Sequence, residues 1–248
     1  MQLNFKNKNV LITGAGRGLG YDLVKKYLDL GAKVISVSRS DFKLDHNNHI
    51  QIKLNLQKTN SVKILEKKLI KKKIFPNILI NNLGGDLNLK DPFMDYKNFE
   101  KILRLNFGIG VELTNLFSKR MIKNNFGRIC FISSISGIEN HGTPAYCSAK
   151  AAINAYVRSI GRFLIKQNVI VTNVLPGAFF TKGGYWDFVK KNRKKHYNNF
   201  KKRLSAERLG EIGEISNIVL FMTSEATSFC AGSSFLVDGG QGRAFNSL

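Results

Sequence analysis

The strongest constraint on this chain is the alternation of short apolar runs with amphipathic stretches of helical period. Residues 10–12, 34–37, 50–54, 78–80, 128–132, 169–174 and 234–237 read as strands, several of them apolar on both faces. A strand apolar on both faces must be covered on both, as happens in a parallel sheet between helix layers. Helical patterns fill the intervals near residues 18–30, 60–73, 97–124, 147–167 and 214–223. The order implies an α/β fold: a Rossmann-type doubly wound parallel sheet of about seven strands, flanked by helices.

Nothing in the 248 residues marks a linker, repeat or low-complexity tail, and 43% hydrophobic content can fill one large core. The expectation is therefore one domain over residues 1–248. Its irregular stretch is 178–208, rich in Lys, Arg, Asn and aromatics. A long insertion after a strand's carboxyl end commonly serves ligand binding in such folds, so this stretch reads as a substrate lid. No apolar run reaches the length that crosses a bilayer, and the N-terminus has no signal-peptide pattern, so a cytoplasmic protein is expected. Cys130, Cys147 and Cys230 have no metal spacing and read as reduced thiols, and no metal site is expected. Cys147 invites a redox reading, but a small packing residue explains it equally well.

Between the first strand and the first helix stands Thr13-Gly14-Ala15-Gly16-Arg17-Gly18-Leu19-Gly20. It fits T-G-x-x-x-G-x-G rather than G-x-G-x-x-G. Glycines here permit a tight turn and let backbone N–H groups meet a pyrophosphate at a helix N-terminus. The second strand ends Val37-Ser38-Arg39-Ser40, without the carboxylate that normally holds an unphosphorylated ribose. Arg39 and Arg17 can converge on a 2′-phosphate, which favours NADP(H) over NAD(H). Asp41 is the counterargument, because a shifted turn would bring it to the ribose.

At Tyr146-Cys147-Ser148-Ala149-Lys150 the chain resembles the short-chain dehydrogenase/reductase family, which combines Y-x-x-x-K with T-G-x-x-x-G-x-G. The resemblance runs from about Lys8 to Gly240 and extends to Asn81-Asn82-Leu83-Gly84, Leu105-Asn106-Phe107, Ser133-Ser134-Ile135-Ser136-Gly137, Pro176-Gly177 with Thr181, and Val237-Asp238-Gly239-Gly240. It implies an oxidoreductase acting on CH–OH and C=O groups. Tyr146 would be the acid/base, Lys150 the cation that lowers its pKa and holds the nicotinamide ribose, and Ser134 the donor to the substrate carbonyl. Asn106 would position a water that returns the proton. Ser133 is the alternative to Ser134. Tyr and Lys at i and i+4 share a helix face, which places the ammonium near the phenol.

The implied dinucleotide site comprises Gly14, Gly16, Arg17, Gly18, Leu19, Gly20, Ser38, Arg39, Asn55, Leu56, Asn82, Leu83, Gly84, Tyr146, Lys150, Pro176, Gly177, Phe179 and Thr181. The substrate would meet Ser134, Ser136, His141, Tyr146, Gly177 and Trp186, although His141 reads more readily as a solvated loop residue.

The lid mixes Tyr185, Trp186, Phe188, Tyr197 and Phe200 with many Lys and Arg. That mixture suits an anionic ligand, such as a carrier-bound 3-oxoacyl thioester or a nucleotide sugar. It equally suits an amphipathic lid with Lys in water. A sugar or other small ketone is the rival substrate class. The net charge of +22 raises a second class, a non-catalytic dinucleotide sensor or nucleic-acid-binding protein. The intact Asn106, Ser134, Tyr146 and Lys150 set argues against it, so no specific nucleic acid and no membrane is expected as partner. The family resemblance implies a homodimer or homotetramer through the helices near 97–124 and 147–167.

Overall fold

The computed structural model describes residues 3–139 and 141–243. Its centre is one sheet of seven parallel strands: β1 Asn9–Thr13, β2 Lys33–Ser38, β3 His49–Lys53, β4 Ile78–Asn81, β5 Gly127–Ile132, β6 Val169–Pro176 and β7 Ser234–Val237. The order across the sheet is β3-β2-β1-β4-β5-β6-β7. The chain winds outward from β1 to β3, then returns to the middle at β4. The crevice between β1 and β4 is therefore the point where winding reverses, the usual ligand position in open α/β sheets.

Side-chain alternation along the strands builds a core on each face. Leu11, Ile35, Leu79, Ile129 and Val171 point to one side, against helices α2 (Ser61–Lys71), α4 (Ile109–Lys123) and α5 (Pro144–Leu164). Val10, Ile12, Val34, Ile80 and Cys130 point to the other, against α1 (Gly18–Asp29) and α8 (Ile212–Met222). Strands apolar on both faces are thus covered on both, as the sequence requires.

Three helical details differ from the sequence reading. The pattern near 97–124 is not one helix but α3 (Tyr96–Leu103), a π-helical turn at Arg104–Gly108, and α4. Helix α5 begins at Pro144 rather than near 147, because Thr143 is extended and Pro144 suits a first helical turn. The 178–208 stretch contains two helices, α6 (Tyr185–Asn192) and α7 (Lys194–Arg203). The lid is closed at its neck, where Gly210 N–H donates to Ala178 C=O (2.9 Å) and Phe180 N–H to Gly210 C=O (2.8 Å).

One small polar lock joins β1 to β4. Thr13 is buried, and its hydroxyl donates to Ile80 C=O (3.2 Å) while accepting from the N–H groups of Asn82 and Leu83 (3.1 Å each). The Asn82 amide donates back to the carbonyls of Thr13 (2.9 Å) and Gly14 (3.2 Å). Thr13→Val removes the hydroxyl at constant shape and strands two amides, so it is expected to cost about 1–3 kcal/mol in urea unfolding. Thr13→Ser should retain most of that stability. A valine variant as stable as the wild type would show that the hydroxyl does not lock the strands.

Candidate active site

The turn after β1 needs its glycines for backbone reasons. Gly14 (φ +65°) and Gly18 (φ +56°) occupy left-handed conformations, and a Cβ on Gly20 would collide with the Gly14 carbonyl. With no side chains filling the turn, the N-terminus of α1 faces an open cleft of about 330 Å³. No side chain caps that helix end, so its first amides are available to an anion. The cradle fits a dinucleotide pyrophosphate.

Of the expected dinucleotide residues, Gly14, Gly16, Arg17, Gly18, Leu19, Gly20, Ser38, Arg39, Asn55, Leu56, Asn82, Leu83, Gly84, Phe179 and Thr181 line this cleft together. So do Val37, Ser40, Leu54, Gln57, Lys182 and Gly184, which sequence reasoning missed. Lys182 carried a usable signal, since it directly follows Thr181. Asp41 is bound to Lys53 at 2.8 Å, and the charged residues lining the cleft are the bases Arg17, Arg39 and Lys182. Arg17 also reaches the carbonyl of Gly183 in the lid (3.5 Å).

Tyr146, Lys150, Pro176 and Gly177 do not line the first cleft. Pro176 is buried at the end of β6. Tyr146 and Gly177 line a second cavity of about 620 Å³ that also holds Ser134, Ser136, His141 and Trp186, so all the expected substrate residues come together. The two cavities share a border, because Gly84 and Phe179 line the first while their neighbours Gly85 and Ala178 line the second. Asp86, Lys90, Thr143, Tyr185, His196, Phe200 and Gln241 join the second cavity unforeseen. They come from separate segments, and no local pattern links them.

Tyr146 lies in the first turn of α5 and Lys150 one turn later. The Lys150 nitrogen is 5.5 Å from the centre of the Tyr146 ring, and it donates to the Ile132 carbonyl at 2.8 Å rather than to the phenol. Burial pushes the Tyr146 phenol up to about 12, against a smaller lowering by the Ser134 hydroxyl. Burial alone pulls the Lys150 ammonium down to about 7. A Cβ on Gly84 would stand 3.3 Å from the Lys150 nitrogen, so the amine sits directly beneath the junction of the two cavities.

The serines separate cleanly. Ser133 is buried and donates to the Lys150 backbone carbonyl at 3.0 Å, while Ser134 lines the cavity and accepts from Ser136 N–H at 3.1 Å. Of the two, Ser134 is thus the serine that reaches the cavity. Asn106 lies outside both cavities, in the π-helical turn. Its amide donates to the carbonyls of Gly85 (2.8 Å) and Ile102 (2.9 Å), and its oxygen accepts from Gly85 N–H (3.0 Å). That side chain is occupied with holding the 84–85 turn. Cys147 is half-buried, and burial raises its thiol, which disfavours a reactive thiolate.

In the lid, Trp186 stacks on Phe200 (ring centres 4.1 Å apart), which joins α6 to α7 and gives the cavity an aromatic wall. Of its lysines, Lys182 lines the dinucleotide cleft. Lys194, Lys195, Lys201 and Lys202 surround a shallow external depression. No helix among the described residues is long and apolar enough to cross a membrane, and no group of His, Cys, Asp or Glu there can hold a metal ion.

The short chain dehydrogenase family matches residues 8–185. The chain is 30% identical to the 3-oxoacyl-(acyl-carrier-protein) reductase FabG of Buchnera aphidicola subsp. Schizaphis graminum, over 96% of this chain and 98% of that protein. It is 27% identical to the L-xylulose reductase of Caenorhabditis elegans, over 96% of each. Among solved structures, 4-hydroxyisoleucine dehydrogenase complexed with NADH shares the fold with a TM-score of 0.84 at 24% identity, covering 96% of this chain and all 100% of that one. The glycine turn, the Tyr146–Lys150 helix and this match across most of its length make the chain a member of the short chain dehydrogenase family, an oxidoreductase built to bind a nicotinamide dinucleotide.

Proposed function

We propose that the chain is an NADP(H)-dependent ketoreductase that interconverts a carbonyl and a secondary alcohol. The observation that carries this reading is the meeting of Ser134 and Tyr146 in one cavity, at its border with the dinucleotide cleft, above the buried Lys150 nitrogen. The nicotinamide, when bound, supplies or takes up the hydride. Ser134 O–H donates to the substrate carbonyl and polarises it. The Tyr146 phenol gives its proton to the oxygen that becomes the alcohol. Burial keeps that phenol protonated until the transfer. Lys150, in its ammonium form, then stabilises the phenolate through space. Asn106 acts by fixing Gly85, and through it the border between the cavities.

NADP(H) is preferred because Arg17 and Arg39 line the cleft and the nearby carboxylate, Asp41, is neutralised by Lys53. For the substrate we favour a 3-oxoacyl thioester on a carrier, which accords with the FabG relative and with the basic exterior of the lid. A sugar ketone is the second reading, favoured by the polar Ser136 and His141 in the cavity and by the L-xylulose reductase relative. The exposed Phe163 on α5, 72% accessible, is consistent with a homo-oligomer formed through that helix.

Tyr146→Phe is expected to lower kcat on a ketone panel by about 100-fold to 10,000-fold, with the Kd for NADPH unchanged by fluorescence titration. Undiminished turnover would remove Tyr146 from the chemistry. Arg39→Ala is expected to weaken NADPH about 10-fold to 100-fold, the size of a lost charge-assisted bond, and to leave NADH within about threefold. Equal losses for the two dinucleotides would contradict the 2′-phosphate assignment.

A further inference from the structure

The segment that leaves β7, residues 238–243, forms a strap that brings Gln241 to the wall of the Tyr146 cavity. Asp238 folds it, with one carboxylate oxygen accepting from Gly240 N–H (3.0 Å) and the other from Gly242 N–H (2.7 Å). The strap touches both ends of the lid and the loop before α5. Ser205 donates to Gly240 C=O (2.8 Å), and Arg243 N–H donates to Glu139, whose carboxylate also holds His141 (2.7 Å).

At the centre of the strap, Gln241 Oε1 accepts from Ala178 N–H at 2.7 Å, in the neck of the lid. A backbone N–H can only donate, so the amide orientation is set: the oxygen faces Ala178 and the nitrogen does not. The fit is close. A Cβ on Gly177 would stand 2.9 Å from that oxygen and 2.7 Å from the Asp238 Cβ. The Gln241 nitrogen has no hydrogen-bond partner among the described residues, yet the half-buried side chain lines the same cavity as Ser134 and Tyr146.

We infer that Gln241 is a substrate-binding residue, whose Nε2 donates to a second oxygen acceptor on the ketone, a carbonyl or carboxylate apart from the one reduced. The inference rests on the ketoreductase reading above. Ala178 already holds the side chain, so little rotamer freedom remains to be lost on binding. A ketone without a second oxygen gives that donor no partner, and polar groups left unpaired by a ligand are how such sites reject analogues.

Gln241→Glu separates this role from a purely structural one. Glutamate keeps an oxygen for Ala178 and nearly the same volume, but replaces the amide donors by an acceptor. Gln241→Leu removes both, without adding charge. The measurement is the ratio of kcat/KM for ethyl acetoacetate, which has a second carbonyl, to that for 2-heptanone, which has none, with NADPH as reductant. Because the ester is intrinsically more reactive, the readout is the change in this ratio on substitution. Both variants are expected to lower it about fivefold to tenfold, through KM for the ester. An unchanged ratio in both variants, with or without equal losses on the two ketones, would make Gln241 a clasp for the lid and overturn the inference alone. A wild type that turns over neither ketone would instead overturn the ketoreductase reading, and this inference with it.

Discussion

The contact between Thr13 and Asn82 is the one on which the rest of the site depends. It closes the crevice between β1 and β4, where the sheet reverses its winding and a ligand can reach the strand ends. On one side it fixes the start of the glycine turn, and so the direction of the N-terminus of α1. On the other it fixes Leu83 and leads into Gly84, where a Cβ would stand 2.7 Å from the Asn106 oxygen. Asn106 in turn binds Gly85 through both the oxygen and the nitrogen of its side-chain amide. One continuous run of polar contacts thus aligns the dinucleotide cleft with the Tyr146 cavity. Its members come from β1, β4 and the π-helical turn, elements far apart in sequence.

The proposed chemistry rests on two groups that burial pushes in opposite directions. Tyr146 is driven toward the neutral phenol and Lys150 toward the neutral amine, so each alone resists the charge that catalysis needs. Phenolate and ammonium, when both form, would stabilise one another across a low-dielectric gap. Helical spacing alone suggests direct contact between them. The structure instead gives the Lys150 proton donor to the Ile132 carbonyl, a fixed acceptor that aims the nitrogen without quenching its charge. Ser133 adds a second restraint by binding the Lys150 backbone. Its neighbour Ser134 is left to face the substrate.

Much of this was legible in the sequence because it is written in local patterns. The strand runs, the glycine turn and the Tyr146–Lys150 spacing each follow from the requirements of one element. The 178–208 stretch is bounded by the bridge between residues 178–180 and 210, a pairing that no local pattern announces. What was not legible depends on contacts between distant segments. The π-helical turn at Arg104–Gly108 lies inside an unbroken helical pattern. The Asn106 carboxamide there is committed to Gly85, 21 residues back along the chain. The lid helices are masked by lysines and asparagines, and their order comes from the Trp186–Phe200 stack, a tertiary contact. Gln241 sits beyond the last strand, where no periodicity marks it, and is placed by the Asp238 turn and the Ala178 amide.

The central claim is that Lys150 sets the proton affinity of Tyr146 through space. It is tested most directly by the pH dependence of alcohol oxidation, in the wild type and in Lys150→Met. Oxidation needs the phenolate, so its rate rises with pH through the pKa of the reacting group. In the wild type the Lys150 ammonium should favour the phenolate against burial and hold the profile at lower pH. Without the ammonium, the profile should move to higher pH than in the wild type, because burial opposes the phenolate. A methionine variant that keeps the wild-type profile would contradict the account.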